Sequence, residues 1–318
     1  MAELIAERDA FGKAMVELGM RNERVVVLDA DLASSTKASM FAEAYPERFF
    51  QIGIAEQNMM GVAAGLATMG FVPFTNTFAC FASKRATDQI RCSIAQPRLP
   101  VKIVGGYGSL FVAKSGKTHQ SVQDLAIMRA MPNMTVVAPG DGVEVGKAVH
   151  AVADYDGPVY LRLTRDPSPV VFDDSYEFKL GSAVIVRDGS DVAIITTGVM
   201  VARAVEAAER LAADGIDALI LHVSTLKPLD EQAIVAAAEK TGLVVTAEEH
   251  TIIGGLGGAV AETLGENHPT LLKRVGVRDV FSESAPNDAL LEKYGLTSGH
   301  IERAAREILT ATRTSVQV

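Results

Sequence analysis

Residues 49–67 read FFQIGIAEQNMMGVAAGLA, and their interpretation decides the fold. The first five residues have the apolar, aromatic character of a buried strand, and the run of Gly, Ala and Met that follows has the small-residue character of a close-packed helix. Between them stands one acid, Glu56. A carboxylate among apolar neighbours needs a charge partner or must keep its proton. Its plainest role is at a helix N-terminus, where the backbone dipole favours negative charge in the first turn.

The same strand-to-helix alternation extends outward from this segment. VVVLDA (25–30), FFQIG (49–53), FVPFTNTF (71–78), VKIVGG (101–106), MTVVAP (134–139) and PVYLRLT (158–164) are strand-like runs separated by helical patterns. That order predicts an α/β fold with a mostly parallel sheet flanked by helices. The stretch RDPSPVVFDDSYEFKLG (165–181) interrupts it and reads as a linker. A second series follows: DVAIITTG (191–198), DALILHVSTLKPLD (217–230), GLVVTAEEH (242–250) and LLKRVGVRD (271–279). The expectation is therefore two α/β domains, residues 1–175 and 181–318.

Composition narrows the function classes. The chain has 318 residues, 48% hydrophobic and 22% charged, ample for a packed core and for roughly two domains. A net charge of -9 argues against nucleic acid or an anionic membrane as partner. The start, MAELIAERDAFGKAMVELG, reads as one amphipathic helix with scattered charges, unlike a signal peptide, and no uncharged apolar run reaches membrane-spanning length. Cys80 and Cys92 lack metal-ligand company and read as free, buried thiols, which suits a cytoplasmic protein.

In open α/β sheets ligands gather outside the carboxyl ends of the strands. The segments leaving the first four strands are DADLASS, GIAEQN, NTFACF and GGYGSLFVAKSGKTHQ. Together they would bring Asp31, Glu56, Phe78, Phe81 and His119 to one rim.

These residues carry a resemblance to a known family. DADL, IGIAEQNM, NTFACF, RATDQIR, SGKTHQSVQDLAIMRAMPNMTVVAPGD, LRLTR and GGLGGAVAE occur in an order similar to that of transketolase-like, thiamine-diphosphate-dependent enzymes. From about residue 1 to 310 the chain resembles their pyrimidine-binding domain followed by their C-terminal domain. The resemblance implies that Glu56 hydrogen-bonds the aminopyrimidine of thiamine diphosphate and so prepares the cofactor carbon that attacks a ketose carbonyl. Phe78 and Phe81 match aromatic positions that pack on the aminopyrimidine, and Asp31 matches an acid near the thiazolium end. His119 matches a histidine near the reacting carbons, whereas His250 in EEHTIIGG receives no role. Arg8, Ser35 and Arg165 match positions that hold the terminal phosphate of a sugar substrate, a task suited to guanidinium.

Two glycine motifs mislead. Gly140, Asp141 and Gly142 imitate the start of a metal-diphosphate motif but fall at an ordinary strand-to-helix turn, so no metal ligand is expected there. GGLGGA (254–259) imitates a dinucleotide loop, yet in the family it opens a helix of the C-terminal domain.

The family's diphosphate-binding domain and its Mg²⁺ ligands are not among these motifs. The resemblance therefore implies a split enzyme: an N-terminal diphosphate-binding subunit as partner, an α2β2 heterotetramer, and a contact surface drawn partly from residues 53–70. Tyr107 stands where typical transketolases have a histidine, and Ser115, near Lys114 and Lys117, where they have an acid. Those departures leave the two-carbon ketol transfer intact and open the choice of sugar, an apulose-type phosphate being as admissible as xylulose 5-phosphate. Rival readings are a 2-oxo acid dehydrogenase β-type subunit, a deoxyxylulose-phosphate-synthase-like fragment, and a non-catalytic regulatory subunit.

Overall fold

The computed structural model describes residues 3–112 and 115–315. β1 (Leu4–Ala6) runs directly into α1 (Glu7–Arg21), β2 (Val25–Asp29), α2 (Ala33–Thr36) and α3 (Ser39–Ala44). β3 (Phe49–Gln51) precedes α4 (Glu56–Thr68), and β4 (Val72–Phe78) precedes α5 (Ala79–Arg85) and the short α6 (Thr87–Gln89). β5 (Lys102–Gly106), α7 (Asp124–Ala130), β6 (Thr135–Val137), α8 (Gly142–Asp154) and β7 (Val159–Arg162) complete the first half. The second half has β8 (Pro167–Pro169), β9 (Val184–Arg187), β10 (Val192–Thr196), α9 (Met200–Ala213), β11 (Ala218–His222) and β12 (Thr225–Lys227). It ends with α10 (Glu231–Thr241), β13 (Leu243–Thr251), α11 (Leu256–Asn267), β14 (Leu271–Val277), α12 (Asn287–Lys293) and α13 (Ser298–Ser315).

Seven strands form the first sheet, in the order β12-β6-β7-β5-β4-β2-β3, parallel except for β12. Five form the second, β14-β13-β10-β11-β9, parallel except for β9. The α/β expectation of parallel sheets flanked by helices therefore holds. Alternation within the strands builds both faces: Val25 and Val27 pack with Phe11, Met15 and Leu18 of α1, while Val26 and Leu28 pack with Met59, Met60 and Ala63 of α4. The latter core continues into the second sheet through Ala193, Ile195, Leu219 and Val244.

Several boundaries differ from the sequence reading. The N-terminal amphipathic segment is not one helix: Leu4–Ala6 is extended and pairs antiparallel with β8, a strand inside the presumed linker. FFQIG is an edge strand, not a buried one, since among the described residues β3 pairs only with β2 and leaves Phe50 38% exposed. DALILHVSTLKPLD is two strands: β11 stays in the second sheet while β12 crosses to β6 in the first, with Lys227 Nζ donating to the carbonyls of Arg129 at 3.0 Å and Met131 at 2.6 Å. Cys80 is buried as expected, but Cys92 is exposed on the irregular helix of residues 90–95. Among the described residues, no helix is long and apolar enough to cross a membrane.

Candidate active site

Strand ends of the first sheet deliver the aromatic part of the site. β4 finishes at Phe78, and one helical turn later α5 presents Phe81. β5 finishes at Gly106, after which Tyr107 takes φ +58°, a left-handed conformation that costs an aromatic residue on the order of 1–2 kcal/mol. That turn lays the Tyr107 ring on Phe78, with centroids 4.1 Å apart and planes 20° apart. Phe81 also stacks with Phe78, at 5.8 Å between centroids, and His119 meets Phe81 edge-on at 5.5 Å and Phe78 at 6.2 Å. The imidazole Nδ1 lies 2.9 Å from the Thr118 hydroxyl. Gln120 anchors the loop behind His119 to the second domain through the Ser282 hydroxyl and, at 3.2 Å, the Glu283 carbonyl.

Glu56 opens α4 and is 4% exposed. Its Oε1 accepts from Arg85 Nη1 at 3.0 Å, and the same guanidinium lies 4.1 Å from the Phe81 ring centroid. The helix-terminus role and a place beside the aromatic group thus coexist in one residue. Arg85 was missing from the sequence reading. Its only signal was indirect: Glu56 needed a partner, and Arg85 of RATDQIR lies 29 residues further along the chain.

Of the DAD pair, Asp29 holds the structure together. Its Oδ2 accepts from the N–H groups of Leu32 at 2.8 Å and Ala33 at 3.0 Å and from Gln51 Nε2 at 2.9 Å. Burial raises its carboxyl above its ordinary value, against those hydrogen bonds. Asp31 is exposed at φ +63°, its N–H donating to Gln51 Oε1 at 2.9 Å. Among the described residues its carboxylate joins no hydrogen bond or ion pair with the rest of the site.

A basic group converges on Tyr107 from the other side. Arg8 Nη1 donates to Tyr107 Oη at 2.9 Å and to the Ser35 carbonyl at 3.3 Å, so Ser35 enters through its backbone rather than its hydroxyl. The guanidinium carbons of Arg8 and Arg165 lie 5.9 and 5.5 Å from the Tyr107 centroid. Among the described residues, Nε of each arginine is buried without a hydrogen-bond partner. Tyr107, noted in the sequence only as a departure, is the hub joining the aromatic and basic groups. Ser115 and Lys117 are exposed, and Lys114 lies outside the described residues.

Beneath the rim runs a buried ionic layer. Arg162 pairs with Asp124 at 3.0 Å and with Glu249 of the second domain, and Tyr160 donates to Asp124 at 2.8 Å. Burial, the largest single influence, would raise the Asp124 carboxyl; the Arg162 guanidinium, the nearby His250 and the hydrogen bonds from Tyr160 and Ser121 together overcome it and hold the group below its ordinary value. Gly198, at φ +58°, is required here, because a Cβ would stand 2.3 Å from Glu249 Oε1.

The two glycine motifs lie elsewhere. Asp141 caps α8 with Oδ1 on the Glu144 N–H and directs Oδ2 to the N–H groups of Val171 and Phe172. At GGLGGA the N-terminus of α11 is closed by Glu248, which accepts from Leu256 at 2.8 Å and Gly257 at 2.9 Å. His250 is buried, its Nδ1 2.8 Å from the Thr251 carbonyl.

Two family models match consecutive segments: the transketolase pyrimidine binding domain over residues 3–169 and the transketolase C-terminal domain over residues 181–301. The chain belongs to the transketolase family, as a small split-enzyme chain made of these two domains. It is 48% identical over 301 residues to the 6-deoxy-6-sulfo-D-fructose transketolase subunit SqwH of Clostridium sp. (strain MSTE9), covering 95% of this chain and 94% of that one. An apulose-4-phosphate transketolase subunit of Phocaeicola vulgatus is 37% identical over 307 residues, covering 96% and 98%. A solved split-gene transketolase, an inactive β4 tetramer, superposes with a TM-score of 0.90 at 51% identity, covering 96% of this chain and 99% of that one. Membership implies dependence on thiamine diphosphate, and the rival readings are not favoured.

Proposed function

We propose that this chain forms the pyrimidine side of a cytoplasmic transketolase of carbohydrate metabolism, transferring a two-carbon ketol unit between sugar phosphates. Residues 1–175 would bind the aminopyrimidine and residues 181–318 form the C-terminal domain, with an N-terminal diphosphate-binding subunit supplying the Mg²⁺ ligands in an α2β2 assembly. The observation that carries this reading is the continuous path from Glu56 through Arg85, Phe81 and Phe78 to Tyr107, with Arg8 and Arg165 at its far end. Reaction centre and terminal anion are thereby given opposite ends of one site.

The residues suit the cofactor. Phe78 and Phe81 offer flat apolar surface to a flat ring, and the nearly buried Glu56 offers a carboxyl that can share a proton with a ring nitrogen. When bound, thiamine diphosphate supplies the nucleophilic carbon. His119, on the aromatic edge, would hold or move a proton at a substrate oxygen, and Asp31 would stand toward the thiazolium end of the cofactor. Beside Glu56, the exposed Ile54, Val62 and Met69 and the open Cβ positions of Gly61 and Gly65 make an apolar strip suited to contact with the other subunit.

Arg8, Ser35 and Arg165 take the terminal anion of the sugar. The two relatives are named for a sulfonated and a phosphorylated sugar, and both anions present oxygens that a guanidinium can bridge. Phosphate is the anion adopted in this proposal. An arginine–phosphate contact contributes about 1.5–3 kcal/mol, so Arg165→Ala should lower kcat/KM for a phosphorylated donor about ten- to a hundredfold. Hydroxypyruvate, which lacks that group, should lose far less in the same holoenzyme. Equal losses for both donors would make Arg165 structural and overturn the assignment.

A further inference from the structure

The two segments that carry the basic pair are fastened to each other directly behind it. β1 and β8 pair antiparallel, with Leu4 opposite Pro169, Ile5 opposite Ser168 and Ala6 opposite Pro167. The Val170 N–H extends the pairing by donating to the Glu3 carbonyl at 2.9 Å. At the end nearer the site, Glu7 opens α1 and Thr164 follows β7. Glu7 Oε2 accepts both the Thr164 backbone N–H and, at 2.8 Å, its hydroxyl. Glu7 is 1% exposed and Thr164 4%. Each is the residue immediately before an arginine, Arg8 in one case and Arg165 in the other.

We propose that Glu7 is a positioning residue: its carboxyl, latched onto Thr164, sets the separation of Arg8 and Arg165 and so the width of the cradle that receives the substrate's terminal anion. The inference rests on the anion role given to those arginines above. Without the latch, the nearest backbone pairing between the two arginine-bearing segments would be that of β1 and β8, whose closest rung, Ala6 opposite Pro167, lies one residue further along the chain from each arginine. A small change of angle there moves a long side chain's tip by ångströms, enough to spoil a contact that depends on fixed geometry.

A buried carboxyl is a costly way to join two segments unless it is neutral. Burial pushes the Glu7 carboxyl up to about 8, against the lowering effect of the Thr164 N–H. Around neutral pH it is therefore mostly protonated, and glutamine is its closest mimic. An amide carbonyl accepts the same two donors, and the amide nitrogen takes the place of Oε1, which has no partner among the described residues.

The test uses the holoenzyme assembled with its partner subunit and cofactor, and measures kcat and KM for a phosphorylated ketose and for hydroxypyruvate. Glu7→Ala should raise KM for the phosphorylated donor about tenfold while changing kcat/KM for hydroxypyruvate by less than about threefold. Glu7→Gln should stay within about threefold of wild type on the phosphorylated donor. A general loss on both donors, an unchanged KM for the phosphorylated one, or a glutamine variant as impaired as alanine overturns the positioning role. If Glu7→Ala fails to fold, Thr164→Val removes one of the two hydrogen bonds and should raise that same KM about threefold; an unchanged value overturns the proposal. Arg165→Ala, run beside them, separates the two failures. If it shows the phosphate-selective loss and the Glu7 variants do not, the latch is wrong, whereas if it shows none, the anion reading falls and the latch with it.

Discussion

Arg85 donates to Glu56 at 3.0 Å across the join between α5 and the start of α4, and the two differ sharply in exposure: half of Arg85 is open to solvent, while Glu56 is 4% exposed. The buried carboxyl is therefore charge-compensated from outside, by a group that is itself steadied on Phe81. Water screens the exposed cation in this chain. A subunit laid over the apolar strip beside it would remove that screening and strengthen the pair.

Glu56→Gln keeps an acceptor for Arg85 and removes the proton-sharing carboxyl. Folding and partner assembly should persist, while kcat of the holoenzyme falls about 10²- to 10⁴-fold. Steady-state turnover of a purified mutant assembly checks this, and a value near wild type would remove Glu56 from the chemistry.

Thiamine diphosphate titrated into the chain alone, with Mg²⁺, should give weak heat, because hard oxygen ligands for the metal are assigned to the other subunit. The mixture with the diphosphate-binding subunit should bind tightly. Calorimetry decides the matter: tight, Mg²⁺-dependent binding by the single chain contradicts the divided site.

Stability should carry a trace of Glu7. Its folded value of about 8 stands above the ordinary 4.5, so between these pH values the native state holds a proton that the unfolded state has lost. The resulting stabilisation is fully present below about pH 4.5 and fades as pH rises through about 8. Wild type should therefore lose at least about 2 °C more in Tm than Glu7→Gln between roughly pH 5 and 8. Lys102, lowered to about 7 by burial, acts mainly at higher pH with the opposite slope and is common to both proteins, so the difference isolates Glu7. Parallel melting slopes in the two proteins would contradict the assignment.

How much of this was legible in the sequence depended on whether the deciding contacts were local. β2, β4, β5 and β7 could be read because each is flanked by helices on both faces, and burial on both faces produces continuous apolar runs. β3 was misread for the same reason: its Phe-Phe pair imitates that signature although, among the described residues, β2 is its one neighbouring strand. β1 merged into α1 because its three residues take their extended form from Pro167–Pro169, more than 150 positions away in the chain. In the site, Glu56, Phe78 and Phe81 stand at or shortly beyond strand ends, where position announces exposure to a ligand. Tyr107 also stands directly after a strand, β5, but its importance, like that of Arg85, lies in partners the sequence does not show: one ring laid on Phe78 by a left-handed turn, one guanidinium reaching back to α4.

β12 carries a consequence for any exchange of parts among relatives. Its three residues come after β11 of the second sheet, yet they form the outer border of the first, hydrogen-bonded to β6 and tied down by Lys227. A chimera joined at residue 181 would thus receive the last strand of its first sheet from the foreign parent, and a mismatch would leave β6 as an open, aggregation-prone border. The unit of recombination is set by this graft rather than by the linker, and a clean exchange must bring residues 225–227 along with the half they complete.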